Sequence, residues 1–111
     1  MIKINIFKKN NNYVGIKCVG HSGYDDFGRD IVCSAVSSLI FNAEIALNEV
    51  LKIKSKLQSN EKTAEFSLSV VDAKGNDKMV NVIFESLEIS LNRLEKQFKK
   101  NVKLEVENEN V

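Results

Sequence analysis

The sequence predicts an α+β two-layer sandwich, in which a four-stranded, largely antiparallel sheet carries two long helices on one face. Short segments alternate between apolar and polar residues, and two longer segments repeat their apolar residues at helical spacing. These elements follow one another in the order ββαβαβ. Strands with one apolar face are typical of an antiparallel sheet that is covered on one side. The 111 residues leave room for a single domain, taken as residues 1–111.

The first two strands are expected to form a hairpin. Residues 8–12 between them are polar and include three successive asparagines, which tolerate left-handed backbone. The alternating apolar positions of the two strands are Ile2, Ile4, Ile6, Val14, Ile16 and Cys18.

The first helix is expected to run from about residue 31 to about residue 54, with Asp30 as its N-cap. Its main apolar stripe comprises Val32, Val36, Leu39, Ala43, Leu47 and Val50. Further apolar residues lie beside or beyond that stripe: Ile31, Leu39, Ile40, Phe41, Ile45 and Ala46. A helix that is apolar nearly all round must bury two faces, which indicates a homodimer interface.

The second half of the chain supplies a strand at residues 64–70, a turn at 72–76, a helix, and a last strand at 102–106. Asn76 or Asp77 can cap the helix. Its apolar seam follows a 4-3-4-3-4 spacing through Val80, Phe84, Leu87, Leu91, Leu94 and Phe98.

Composition restricts the possible functions. The chain has 16 lysine and arginine residues and 15 aspartate and glutamate residues, so its net charge is +1. This balance argues against direct nucleic-acid binding. No stretch approaches the roughly 18–20 apolar residues of a membrane span, and the lysine-punctuated N-terminus does not resemble a signal peptide. Two cysteines are too few for a disulfide scaffold. We therefore expect a cytoplasmic protein with reduced thiols and no membrane partner.

Residues 20–29 form a glycine-rich loop, which contains Gly20, Gly23 and Gly28 of the five glycines in the chain. His21, the only histidine, lies at the start of this loop, and Cys33 follows twelve positions later in the first helical turn. The loop is long enough to fold back, so the two side chains can meet.

A helix N-terminus favours the thiolate form of a cysteine, and a neighbouring imidazolium favours it further. We expect the backbone N–H groups of Cys33 and Ser34, unpaired at a helix start, to hold a developing oxyanion. A carboxylate at Asp30 disfavours the thiolate unless it orients His21 or caps the helix.

Simpler interpretations remain open for the same residues. A helical cysteine is most often a small buried hydrophobe, and Cys18 is interpreted in that way. Tyr24 and Phe27 form either a hydrophobic plug or a substrate clamp, and Ser37 either contacts substrate or packs between helices. Alternative functions are a non-catalytic binding module and a metal-dependent hydrolase. No metal-ligand spacing and no phosphate-binding glycine motif is found, so neither a metal nor a cofactor is expected.

Residues 20–24 (GHSGY) and 28–37 (GRDIVCSAVS) closely resemble the signature of the ribosomal-processing cysteine protease family, known as Prp. The match includes the spacing of His21 and Cys33, the aspartate three residues before the cysteine and the serine four after it. Length and element order extend the resemblance over the whole chain. Ser22 and Ser34 depart from the pattern, because alanine is more usual at both positions.

The resemblance implies a bacterial endopeptidase that removes the short N-terminal extension of ribosomal large-subunit protein twenty-seven, cutting after an aromatic residue. It also implies a homodimer. The alternative is a non-catalytic ribosome-associated binding module, in which the glycine-rich loop contacts a partner and Cys33 is inert. In this family Cys33 matches the nucleophile and His21 the general base and acid, while Asp30 and Ser37 match positions that support the site or substrate.

Overall fold

The computed structural model describes residues 1–26 and 28–110, and this part of the chain forms five strands and two helices in the order ββαββαβ. The first helix, α1 (Ile31–Ile45), continues into a π-helical segment, Ala46–Val50, and the second is α2 (Asp77–Gln97). The strands are β1 (Ile2–Lys9), β2 (Asn12–Val19), β3 (Lys54–Asn60), β4 (Glu65–Asp72) and β5 (Val102–Glu109).

The strands form one mixed sheet in the order β3-β4-β2-β1-β5. The expected β1–β2 hairpin is confirmed, and Asn10 and Asn11 in its turn have left-handed backbone. All neighbours are antiparallel except β1 and β5, which run parallel with Ile2 opposite Val102. The α+β class is therefore confirmed, whereas the expected four strands and ββαβαβ order are wrong.

The additional strand is β3, whose first residue, Lys54, was the expected end of the first helix. It pairs only with β4, as an edge strand. Its sequence, KSKLQSN, contains one apolar residue, Leu57, which is 37% exposed. A strand with so little burial on either face has no apolar alternation, so the sequence carries no signal for it.

The first helix ends at Val50 rather than near residue 54. Lys52 then adopts left-handed backbone (φ 55°), and Ile53 is buried with its N–H donating to Leu47 O at 2.8 Å. No glycine or proline marks this helix end, which explains the error in the expected boundary.

One face of the sheet and the inner faces of both helices form the core. The seam of α2 is confirmed, since Val80, Phe84, Leu87 and Leu91 are buried. The stripe of α1 is corrected at two positions: Ile40 is fully buried, while Val50 is 71% exposed. The buried residues of the first helical stretch are Val32, Val36, Ile40, Ala43 and Leu47.

The continuous helical stretch Ile31–Val50 is long and apolar enough to cross a membrane by length and composition, contrary to the sequence expectation. In the fold, however, one face of this stretch packs into the core on the sheet. A core helix of a soluble protein passes the same test, so the finding is weak evidence for a membrane span.

Candidate active site

The glycine-rich loop begins at Gly20, at the end of β2, where backbone contacts with Ala64 and Met1 restrict the residue type. Its N–H donates to Ala64 O at 2.9 Å, and its backbone is left-handed (φ 97°). A Cβ atom at this position would lie 2.7 Å from Met1 O. Only glycine fits this turn without displacing backbone. Gly20 therefore sets the position at which the loop with His21 begins.

We expect Gly20→Ala to destabilise the fold by more than the about 1–3 kcal/mol of a left-handed alanine, because the new methyl group also meets the Met1 carbonyl. Urea unfolding measures the loss. Gly75→Ala is the matched control, since Gly75 is also left-handed (φ 79°) but has no atom within 4 Å of the added Cβ. Equal losses in the two variants would contradict this account of Gly20.

Asp30 caps helix α1, as the sequence predicts. Its Oδ1 accepts hydrogen bonds from the N–H groups of Val32 and Cys33, both at 3.0 Å. Its Oδ2 accepts a hydrogen bond from Ser22 Oγ. Cys33 is thus the third residue of the helix, at its positive end.

The pKa of Asp30 reflects two opposing influences. Burial of the carboxylate raises this pKa, but hydrogen bonds from the Ser22 hydroxyl and from backbone N–H groups outweigh burial and lower it to about 2. Those backbone donors belong to Cys33, Asp25 and Val32. Asp30 is therefore a buried anion near neutral pH.

The loop folds back onto the helix start. Ser22 N–H donates to Cys33 Sγ with an N···S distance of 3.5 Å. Two covalent bonds separate Ser22 N from the α-carbon of His21, so that carbon lies within about 6 Å of the sulfur. The His21 side chain is exposed. The loop segment with His21 therefore lies next to Cys33, the candidate nucleophile, as the expected site requires.

The expected oxyanion donors are not available in this arrangement. Cys33 N–H donates to Asp30 Oδ1, and Ser34 N–H donates to Asp30 O at 3.2 Å. The expectation that both groups are unpaired is wrong, because the side chain of the Asp30 N-cap accepts one N–H and the first helical hydrogen bond uses the other.

The remaining candidate residues differ in how far their side chains are exposed to solvent. Tyr24 is 48% exposed and packs edge-on against Phe98 at the end of α2, with ring centroids 5.3 Å apart. Ser37 is half-buried one turn after Cys33, and Ser34 is exposed. Gly23 and Gly28 have left-handed backbone. Phe27, a proposed partner of Tyr24, lies outside the described residues.

Two residues at the site were missed as contributors. Ser22 is 1% exposed and contacts both Asp30 and Cys33, while Asn101 donates from Nδ2 to Ser22 O at 2.9 Å. The departure of Ser22 from the usual alanine was a usable signal. Asn101 lies 79 positions away in a polar segment, where no local pattern points to the site.

The second cysteine has a different environment. Cys18 is 6% exposed on β2, and burial raises its pKa to about 12, so it stays a thiol near neutral pH. This confirms its interpretation as a core residue. Among residues 1–26 and 28–110, no group of three or more His, Cys, Asp or Glu side chains is arranged to hold a metal ion.

Comparison with known proteins decides the family. A family model described as cysteine protease Prp matches residues 1–103. The chain belongs to the cysteine protease Prp family. The family assignment makes the chain a cysteine protease and argues against the inert binding module.

Relatives of known name agree with this assignment. The ribosomal processing cysteine protease Prp of Staphylococcus aureus is 24% identical over 85 residues, which are 77% of this chain and 78% of that protein. A crystal structure of an essential ribosomal processing protease Prp from S. aureus, in complex with a covalently linked product peptide, has a TM-score of 0.84 at 20% identity. It covers 96% of this chain and 100% of that chain.

A Streptococcus mutans protein has the same fold, with a TM-score of 0.82 and 24% identity over 98% of this chain and 96% of that chain. The S. aureus Prp has also been solved in complex with a substrate peptide, at a TM-score of 0.80 and 20% identity, covering 96% of this chain and 100% of that chain. At these identities the structures show a common Prp fold, a five-stranded mixed sheet with two helices.

Proposed function

We propose that this Prp family member is an endopeptidase with Cys33 as nucleophile and His21 as general base and acid. It removes the short N-terminal extension of ribosomal large-subunit protein twenty-seven, cutting after an aromatic residue. The observation that carries the proposal is the contact of Ser22 N–H with Cys33 Sγ, because it places the His21 segment beside a thiol at a helix N-terminus.

In the proposed reaction His21 first accepts the proton of the Cys33 thiol, and the resulting thiolate attacks the scissile carbonyl carbon. The carbonyl π electrons move to oxygen and return as the C–N bond breaks, and His21 gives its proton to the departing amine. Water then attacks the thioester with His21 as base. The S–C bond breaks, the acid product leaves, and the proton that His21 took from water returns to the Cys33 sulfur.

The ribosomal substrate is supported by the relatives. The S. aureus protease is named for ribosomal processing and has been solved with a substrate peptide and with a covalently linked product peptide. Tyr24 and Phe98 offer an aromatic surface next to Ser22, which suits an aromatic side chain of the substrate. In this proposal Gly20 and Gly23 shape the loop, Ser37 and Ser34 contact the substrate, and Tyr24 helps to cover the bound peptide.

Cleavage of the natural substrate tests this proposal. The purified protein is mixed with unprocessed large-subunit protein twenty-seven of the same bacterium, and the product masses are measured. We expect one cut after an aromatic residue of the extension, and a loss of at least about 100-fold in kcat/KM when that residue is replaced by alanine. The mature form without the extension is the control and stays intact. An uncut precursor would refute the proposed substrate.

The active form is proposed to be a homodimer that buries the outer face of α1. Four apolar side chains on this helical stretch are largely exposed: Ile31 58%, Phe41 45%, Ile45 48% and Val50 71%. Several exposed apolar side chains along one helical stretch are typical of an interface between subunits.

We expect Ile45→Glu to convert the dimer to a monomer, because the carboxylate would be buried without a partner at the interface. Light scattering after size-exclusion chromatography measures the mass. Val82→Glu, at a position on α2 that is 62% exposed, is the matched control and stays dimeric. A monomeric parent protein, or an Ile45→Glu dimer, would refute this interface.

The proposal also covers the domain organisation, cellular location and ligands of the enzyme. Residues 1–111 act as one cysteine protease domain in the cytoplasm, with no metal or cofactor, no membrane partner and no direct nucleic-acid contact. The net charge of +1 supports the last point, because nucleic-acid binders usually have a strong basic excess.

A further inference from the structure

The negative charge that forms at Cys33 during the reaction needs a hydrogen-bond donor. The backbone N–H groups of Cys33 and Ser34 already donate to Asp30. Ser22 N–H, in contrast, donates to the sulfur itself at 3.5 Å. An N–H aimed at a developing charge stabilises it most when its orientation is fixed before the reaction.

Ser22 is held rigidly in this orientation. Its Oγ donates to Asp30 Oδ2 and accepts a hydrogen bond from Tyr24 N–H at 3.1 Å. On its other side its carbonyl oxygen accepts a hydrogen bond from Asn101 Nδ2 at 2.9 Å. With its side chain tied to the helix cap and its carbonyl tied to Asn101, the residue has little freedom to turn its N–H away from the sulfur.

Asn101 is itself fixed between α2 and β5. Its N–H donates to Phe98 O at 2.9 Å, and its carbonyl accepts a hydrogen bond from Ile2 N–H at 2.8 Å. These two partners lie at the end of α2 and at the start of β1. The side-chain amide of Asn101 therefore holds the loop at Ser22 in a fixed position relative to α2 and β1.

We propose that Asn101 is a positioning residue, which holds Ser22 so that its backbone N–H stabilises the negative charge on the Cys33 sulfur. Asn101 acts through Ser22 and does not touch the substrate. The assignment of Cys33 as the reacting thiol rests on the proposed function, whereas the rate of Cys33 alkylation tests Asn101 without any protein substrate.

The test compares iodoacetamide alkylation of Cys33 across about pH 5 to 10 in the parent protein and in Asn101→Leu. Leucine has a similar size but no N–H. We expect alkylation of the variant near pH 6 to be about tenfold slower, with its pH profile displaced to higher pH and the same rate where the thiol is fully ionised. With the precursor substrate, kcat falls about 10- to 100-fold and KM changes less than twofold.

Asn81→Leu is the matched control, because Asn81 Nδ2 also makes a side-chain hydrogen bond (2.9 Å to Asn12) at the far end of the sheet. Its alkylation profile is expected to stay unchanged. Alkylation of the buried Cys18 reports any loss of the fold. If Asn101→Leu exposes Cys18, Asn101→Ala, which only removes atoms, replaces it.

A displaced profile in the Asn101 variant, with Cys18 still protected, supports the proposal. An unchanged profile overturns it, as does loss of the fold in both Asn101 variants, since Asn101 would then only stabilise the fold. If the profile of the Asn101 variant is displaced but the parent protein does not cleave the precursor, the role of Asn101 is supported and the proposed substrate is refuted.

Discussion

Cys33→Ala is expected to lower cleavage of the precursor by more than about 10⁴-fold while leaving the fold intact. The substitution removes the sulfur that forms the acyl-enzyme, and no other side chain at the site replaces it as nucleophile. Cys33 is only half-buried in the first turn of α1, so loss of one atom disturbs little packing. Product masses over time measure activity, and thermal unfolding verifies the fold.

Cys18→Ala is the matched control for this prediction. Cys18 is buried, and its pKa of about 12 keeps it protonated, so its loss affects packing but not chemistry. We expect this variant to cleave the precursor at the parent rate. Cleavage by Cys33→Ala, or equal activity losses in the two cysteine variants, would contradict the role of Cys33.

Asp30→Ala is expected to destabilise the fold by about 2–4 kcal/mol at neutral pH. The substitution removes the cap of the Val32 and Cys33 N–H groups, which costs about 0.5–2 kcal/mol, and leaves the buried Ser22 hydroxyl without its acceptor, which costs about 1–3 kcal/mol. Urea unfolding measures the change. Asp72→Ala is the control, since exposed Asp72 accepts one backbone hydrogen bond, from Lys74, and its loss is small.

The Asp30 effect depends on pH in a defined direction. The folded pKa of Asp30, about 2, lies below the ordinary aspartate value of about 3.9 in an unfolded chain. The ionised carboxylate therefore stabilises the fold above about pH 4, and this contribution is lost as the pH falls towards 2. The stability difference between the parent and Asp30→Ala narrows over that range. A constant difference from pH 7 to pH 2 would contradict the assigned contacts.

The sequence predicted those elements whose burial follows a strong period. The β1–β2 hairpin, the seam of α2 and the Asp30 cap each depend on local residue types, and all three are confirmed. Strand β3 was missed because its residues are almost all exposed, and the parallel pairing of β5 with β1 depends on chain topology rather than on either strand.

The site was predictable where its residues are close in the chain. The contact between the loop and Cys33 follows from a short connection, whereas Asn101 reaches Ser22 only through the fold. The error over the oxyanion donors has a chemical cause. Asp30 was recognised as a cap, but its side chain accepts the Cys33 N–H that was expected to be vacant, and its carbonyl oxygen accepts the Ser34 N–H.

The central claim is that Cys33 forms a covalent bond with the substrate, and mass spectrometry after an acid quench tests it directly. During cleavage of the precursor, a fraction of the enzyme is expected to gain the mass of the released N-terminal fragment less one water. Proteolytic mapping is expected to place this mass on the peptide that contains Cys33. Cleavage without any adduct at Cys33, or an adduct confined to Cys18, would contradict the account.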